Sequence, residues 1–320
     1  MVVMTMPRPA HLPVLLAETI HWLNVREGGS YIDCTTGLGG HSTAIAERMG
    51  DTGRLLCLDQ DREALEFARA KLAPFGRRVS FVHANFREVA AVAAQEGFHD
   101  VDGVLMDLGI SSFQIGEARR GFAFGLEGPL DMRMDPDGNG LTAAEIVNTW
   151  DETALANLFF ELGEERRSRR IAKAVVANRP VRTTWELARI AEQAVGSSGR
   201  RTHTHPATQV FLALRLRVNG ELDTLITALP LACSLLGSGS TGAGRLAVIS
   251  FHSLEDRIVK QFFRRESTDC LCPPELPECR CGHKATLREL TRKAILPTEA
   301  EVAANPRSRS AVLRVAERAA

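Results

Sequence analysis

The sequence predicts an α/β fold, a Rossmann-like parallel sheet interrupted by an inserted all-helical domain. Three observations carry that expectation. Strand-like and helix-like segments alternate between residues 30 and 110. From about 142 to 217 the apolar spacing is helical throughout. Beyond residue 244 a strand pattern returns.

The elements follow in order. Residues 31–35 read as a short buried strand, followed by a glycine-rich turn and a helix over 42–49. Residues 54–59 form a second strand, and 62–72 a helix with Leu65, Ala68 and Leu72 on one face. A third strand over 79–83, an Ala-rich helix over 87–96 and a fourth strand over 101–107 complete the first part. Residues 113–142 are rich in Gly, Pro, Asp and Arg and show no periodicity. Helices are expected over 143–148, 152–162, 166–178, 184–194 and 207–218, with turn signals between them. A helix over 221–236, a Gly/Ser loop over 237–244, a strand over 245–251 and a helix over 254–264 come next. The C-terminal pieces 290–296 and 311–316 can close the sheet as a strand pair. The domain boundaries expected are therefore 1–112 and 218–320 for the two parts of the sheet domain, and 113–217 for the insert.

Bulk composition narrows the function classes. With 320 residues and 44% hydrophobic content, the chain can bury one large core or two modest ones. A formal net charge of zero argues against a generic nucleic-acid coat, but the charge is unevenly spread. Twelve Arg or Lys residues lie between Arg166 and Arg217, against two acids, Glu186 and Glu192. Such a local excess can attract a polyanion, with solvated helix faces as the plainer alternative. Arg166, Arg167, Arg169, Arg170, Arg200 and Arg201 are the candidate RNA contacts. No apolar run of 18 residues is present, and the N-terminal residues lack a secretory pattern, so a cytoplasmic location without membrane partners is expected. Seven cysteines, an odd number, make a disulfide framework unlikely in that setting. Monomer and homodimer both stay open.

The turn after the first strand is where chemistry first shows. Asp33 sits within that strand, and Gly37, Gly39, Gly40 and His41 follow. Glycines there let a ligand approach the backbone at a helix N-terminus. Asp59 closes the second strand, where a carboxylate commonly takes the ribose hydroxyls of a nucleotide-like cofactor. A dinucleotide and a pure packing turn are the alternatives. Two details favour S-adenosylmethionine. Ser42 replaces the third glycine of G-x-G-x-x-G, and Asp33 suits a cationic methionine ammonium rather than a pyrophosphate.

A second cluster lies near the C-terminus. Cys270, Cys272, Cys279 and Cys281, with His283 following, form a compact C-x-C…C-x-C-x-H set. Thiolates at this density suit tetrahedral zinc, although C-x-C is tighter than the common C-x-x-C knuckle, and a loop of reduced cysteines is the alternative. Cys34, Cys57 and Cys233 sit in apolar segments and read as core.

Motifs spread along nearly the whole chain resemble those of the RsmH (MraW) family, the 16S ribosomal RNA cytosine N4-methyltransferases. They include residues 11–18, Asp33 to His41, Ala84 to Phe86, Asp107 to Ser112 with Gln114, and Arg120 to Phe124. Further on come Gly128 to Met134, His205 to Thr208, Ser250 to Arg257 and Asn305 to Ser310. Gln209 and Leu212 depart from the pattern, which usually has Arg and Gln there. The resemblance implies a class I methyltransferase fold with a helical insert. It implies S-adenosylmethionine contacts from Gly39, Gly40, His41, Asp59, Phe86, Asp107 and Gln114. It also implies the substrate, a cytidine near the decoding centre of 16S rRNA in the small ribosomal subunit.

Such a reaction asks for acceptors near the target amine, because the cytosine N4 lone pair is spread into the ring. Asp107 ends the fourth strand, where ligands bind in such sheets. It either holds the cofactor, faces the amine as a catalytic group, or caps a helix. His252, after the fifth strand, is a further catalytic candidate that can orient the base or a phosphate. Phe122, Phe124 and Phe251 can stack a flipped base, or simply pack in the core. Two other functions compete: an NAD-type oxidoreductase using Gly37 to Gly40 and Asp59, and a non-catalytic RNA-binding assembly factor.

Overall fold

A computed structural model describes residues 12–138, 140–196, 205–238, 242–273, 276 and 278–319. The chain divides into two compact units, one formed by residues up to Leu108 with those from Thr227 onward, the other by Gly109–Ile226.

The first unit is a sheet flanked by helices. Its elements up to Leu108 are α1 (Leu16–Leu23), β1 (Ser30–Asp33), α2 (Gly40–Arg48), β2 (Arg54–Asp59), α3 (Arg62–Leu72), β3 (Val79–His83), α4 (Val89–Gln95) and β4 (Gly103–Asp107). The seven-stranded sheet has the order β3-β2-β1-β4-β5-β7-β6, with β5 (Arg245–Ser250), β6 (Leu287–Glu289) and β7 (Val312–Arg318) from the C-terminal part. Strands β1 to β5 pair in parallel, and β7 runs antiparallel to both β5 and β6. The parallel strands are apolar on both faces because helices cover both: Leu55, Leu56, Cys57 and Leu58 of β2 are all fully buried. Local signals start the helices. The Asp61 carboxylate accepts the Glu63 and Ala64 amides and so caps α3.

The expected C-terminal strand pair forms, but its first strand lies earlier than 290–296. That segment touches β7 through single bridges, such as Ile295 opposite Leu313. At Thr291 the side-chain Oγ1 accepts the Val315 amide at 2.8 Å, so a hydroxyl replaces the backbone partner and breaks the regular ladder.

The second unit is helical: α5 (Ser112–Gly116), α6 (Ala143–Thr149), α7 (Glu152–Glu161), α8 (Ser168–Ala177), α9 (Thr184–Val195) and α10 (Pro206–Asn219), with the division falling in α11 (Glu221–Leu235). Reciprocal capping boxes at Ser111/Gln114, Thr142/Glu145 and Thr183/Glu186 set three of the helix starts. His205 caps α10 through Nδ1, which accepts the Ala207 amide. The aperiodic stretch before α6 is far from loose. Leu130, Met132 and Met134 are buried in the helical core, with Met132 at a left-handed φ of 62°. Asn219 fixes them, donating to the Met132 carbonyl at 2.8 Å and accepting the Met134 amide at 2.7 Å.

Helices α12 (Ser253–Glu266) and α13 (Glu299–Ala304) complete the first unit. Among the described residues no helix is long and apolar enough to cross a membrane.

Candidate active site

The site grows from the place where the sheet's strand order changes direction. From β1 the chain proceeds to β2 and β3 on one side, and β4 and β5 lie on the other. The carboxyl ends of β1 and β4 therefore open a crevice of the kind that binds ligands in doubly wound sheets. The turn after β1 is fastened on both sides: the Cys34 amide donates to the Leu105 carbonyl at 2.9 Å, and the Thr36 amide to the Leu58 carbonyl at 3.0 Å. Gly39 then adopts a φ of 75°, a left-handed conformation that favours glycine, as it caps α2. A side chain at Gly40 would bring Cβ within 2.4 Å of Pro13 Cγ, so the turn packs against the N-terminal segment without room for one.

Asp59, at the end of β2, ties two of these turns together. Its carboxylate accepts the Gly37 amide at 2.6 Å and the Asp61 amide at 2.8 Å. Burial nonetheless pushes its pKa up to about 6. Next to it, Asn85 donates to Gln60 Oε1 at 2.8 Å, and the half-buried Phe86 opens the short helical turn Phe86–Glu88 after β3. Gly37, Gly39, Asp59 and Phe86 are thus gathered along the carboxyl edge of β1, β2 and β3.

Two more acids stand at the crevice. Asp33 is 1% exposed, and burial raises its pKa to about 6. It accepts hydrogen bonds from Ser42 Oγ at 2.6 Å and from the Thr35 amide at 3.1 Å. Ser42 is therefore a candidate site residue in its own right. The residue that breaks the glycine fingerprint is the one that anchors this carboxylate, and that substitution was the sequence signal for it.

Asp107 is held from two directions. Its amide donates to Thr35 Oγ1 at 2.6 Å, and its Oδ2 lies 3.4 Å from His41 Nδ1. Its buried Oδ1 accepts no hydrogen bond among the described residues. Burial, then the negative charges of Asp33 and Glu255, push its carboxyl well above the ordinary range. The buried His41 places Nε2 3.0 Å from the Val14 carbonyl. A carbonyl only accepts, so that nitrogen carries a proton and Nδ1 is turned toward Asp107. A proton on the carboxyl suits that contact. Asp107 caps no helix: the next one, α5, starts at Ser112 and is capped by Ser111. Glu255 was not singled out as a site residue, although it lies within the Ser250 to Arg257 motif, because only the fold brings α12 near Asp107.

Other candidates fall elsewhere. His252 caps α12, with Nδ1 accepting the Glu255 amide at 3.4 Å and Nε2 3.1 Å from Glu255 Oε1. It begins a helix and lies beside Glu255, whose charge bears on Asp107. Gln114 belongs to the helical unit, where its Oε1 accepts the Ser111 amide at 2.9 Å. Phe122 is buried in the helical core. Phe124 already stacks on His205 at 4.8 Å and meets Phe211 edge-on, and Phe251 packs against the core of the sheet unit.

The basic candidates divide sharply. Arg166, Arg169 and Arg170 are exposed at the start of α8, with Lys173 beyond them, while Ile171, Ala172 and Val175 face the core. Arg167 is only partly exposed. Arg179 is consumed internally, donating to the Val147 carbonyl at 2.7 Å, and Arg215 forms a fork with Glu221 at 2.8 and 2.9 Å. Arg200 and Arg201 lie outside the described residues. The cysteines Cys270, Cys272, Cys279 and Cys281 come together, whereas His283 is directed to the Arg265 carbonyl at 3.0 Å.

Comparison with known proteins gives the same direction. The family model described as the MraW methylase family matches residues 8–319. A ribosomal RNA small subunit methyltransferase H from Dehalococcoides mccartyi is 50% identical over 308 residues, covering 96% of this chain and 86% of the relative. Its namesake from Thermomicrobium roseum is 51% identical over 313 residues, covering 97% and 94%. That from Brevibacillus brevis is 46% identical over 311 residues, covering 96% and 98%.

Proposed function

The chain belongs to the MraW methylase family, and from that premise we propose that it methylates the N4 amine of a cytidine near the decoding centre of 16S rRNA in the small ribosomal subunit. The methyl donor is S-adenosylmethionine. The observation that carries the reading is the group of acids at the crevice, Asp33 buried and Asp59 and Asp107 partly so, with one Asp107 oxygen buried and without a hydrogen bond among the described residues.

The residues present fit that donor. Asp59 stands where ribose hydroxyls are bound in such folds, the half-buried Phe86 suits a purine face, and the Asp33–Asp107 pair suits positive charge. When bound, S-adenosylmethionine supplies a methyl group already activated by a sulfonium. The protein's part is therefore alignment and electrostatics rather than covalent chemistry. His41 positions Asp107, its Nδ1 turned toward the carboxyl; Ser42 and Thr35 fix Asp33. Asp107 is assigned to the cofactor cation, with an acceptor role toward the target amine as the second reading.

The sheet unit, up to Leu108 and from Thr227 onward, is read as the cofactor domain and Gly109–Ile226 as the substrate-recognition domain, close to the bounds expected from the sequence. A ribosomal substrate sets the reaction in the cytoplasm. Methyl transfer to small subunits and to naked 16S rRNA, with the product nucleoside identified by mass spectrometry, tests the whole reading. N4-methylcytidine on assembled subunits is expected. A ring-carbon or ribose product would remove the amine from the proposal, and no transfer to either substrate would remove the rRNA.

The exposed start of α8 supplies an electrostatic test. Reversing Arg166, Arg169 and Arg170 to Glu should weaken subunit binding about tenfold and flatten its salt dependence, with cofactor affinity unchanged. Glu in a first turn suits the helix dipole, so α8 should persist. Unaltered subunit affinity would take this face out of the RNA interface.

A further inference from the structure

The segment between α12 and β6 has no strand or helix among its described residues, and its ends are zipped together. The Thr286 amide donates to the Glu266 carbonyl at 2.8 Å, and Thr286 Oγ1 to Glu266 Oε2 at 2.8 Å. At its tip the sulfurs of Cys270, Cys272, Cys279 and Cys281 all lie within 4.8 Å of one another. The closer separations are 3.4 Å for Cys270–Cys279, 3.7 Å for Cys279–Cys281 and 3.9 Å for Cys270–Cys281.

Those distances discriminate between chemistries. A disulfide brings two sulfurs to about 2.05 Å and would leave the pairs apart. A tetrahedral ion with sulfur ligands at about 2.3 Å spaces them about 3.8 Å from one another. Hydrophobic packing does not explain the gathering either, since Cys279 and Cys281 are exposed.

The backbone points the same way. The Leu271 amide donates to Cys281 Sγ at 3.3 Å, the Cys272 amide to Cys270 Sγ at 3.4 Å, and the Arg280 amide to Cys272 Sγ at 3.3 Å. Amides turned onto sulfur favour the thiolate over the thiol, because they compensate its negative charge.

We propose that Cys270, Cys272, Cys279 and Cys281 bind one zinc ion as a closed tetrathiolate site that staples this segment. Four protein ligands leave no open position, so the ion is structural and takes no part in methyl transfer. Binding converts four thiols to thiolates and releases their protons, while neither sulfur nor metal changes oxidation state. His283 is not a ligand. The ion stands in for the apolar core that a short, proline-rich segment cannot build.

The test is metal content and thiol state of the intact protein purified under reducing conditions, without a histidine tag. About one zinc per chain is expected, with all four thiols slow to alkylate until a chelator is added. Exchange with cobalt should give the visible bands of a tetrahedral tetrathiolate. Cys279→Ser combined with Cys281→Ser should abolish both signals while S-adenosylmethionine binding, measured by calorimetry, is retained. Metal-free protein with freely alkylated thiols would overturn the proposal. So would two disulfides found by mass under non-reducing conditions, or iron in place of zinc.

Discussion

Asp107→Asn is expected to weaken S-adenosylmethionine binding by ~1.5–3 kcal/mol, about 10–150-fold, the range for a lost hydrogen bond to a charged group. The single-turnover rate should recover most of its wild-type value once the cofactor saturates. The reasoning is electrostatic. Asp33 and Glu255 both raise the Asp107 carboxyl, which burial has already raised, so the unliganded pocket favours a proton there. A cationic ligand reverses that preference, and its binding should release the proton. Calorimetry in buffers of different ionisation enthalpy would register the release for the wild type and lose it in the Asn variant. Asn keeps the size and one acceptor oxygen, which separates charge from shape. If affinity stays normal while single-turnover methylation falls ~10²–10³-fold, Asp107 faces the target amine instead. A variant normal in both would leave it a structural residue.

The parallel sheet was readable because each strand is a short apolar run ended by a polar or charged residue, as in β2, whose helix α3 spans the expected 62–72. Element ends were less legible where side chains replace backbone partners, as at Thr291. The stretch 113–142 was read as aperiodic because Gly, Pro and Asp mask the alternation of Leu130, Met132 and Met134, whose burial depends on helices later in the chain. Within the site, Asp33, Asp59 and Asp107 were visible as acids at strand ends, a position with a general chemical meaning. Their surroundings were legible only in part: Ser42 stood out as the break in the glycine fingerprint, whereas the Thr35 contact to the Asp107 amide and the charge of Glu255 near Asp107 depend on the three-dimensional sheet. Two histidines inside motifs, His252 and His205, also cap helices.

The acids that prepare the pocket should also cost stability, and Asp33 makes the cost measurable. Its pKa is 3.8 in the unfolded reference and about 6 in the fold, an interval worth ~3 kcal/mol. The folded state therefore holds the proton more tightly than the unfolded chain. Below about pH 4 both states are protonated and nothing is lost; between about 4 and 6 only the folded state keeps the proton; above that the folded state bears the full penalty. The Asp33 contribution to stability should thus fall as pH rises through this window. Paired carboxylates with lowered values, such as Asp131 beside Arg133, act in the opposite sense, so the total curve is not diagnostic. The difference between wild type and Asp33→Asn is. In a Trp150→Phe/Trp185→Phe background the remaining Trp22 reports on the sheet unit, because both replaced residues belong to the helical one. Urea unfolding of the cofactor-free protein should show Asp33→Asn gaining ~3 kcal/mol on the wild type between pH 4 and 6. Saturating S-adenosylmethionine should shrink the wild-type fall, since a nearby cation lowers the pKa of Asp33 in the folded state. A flat difference curve would mean that Asp33 ionises in the fold as it does in water, and the crevice would lose its claim to be poised for positive charge.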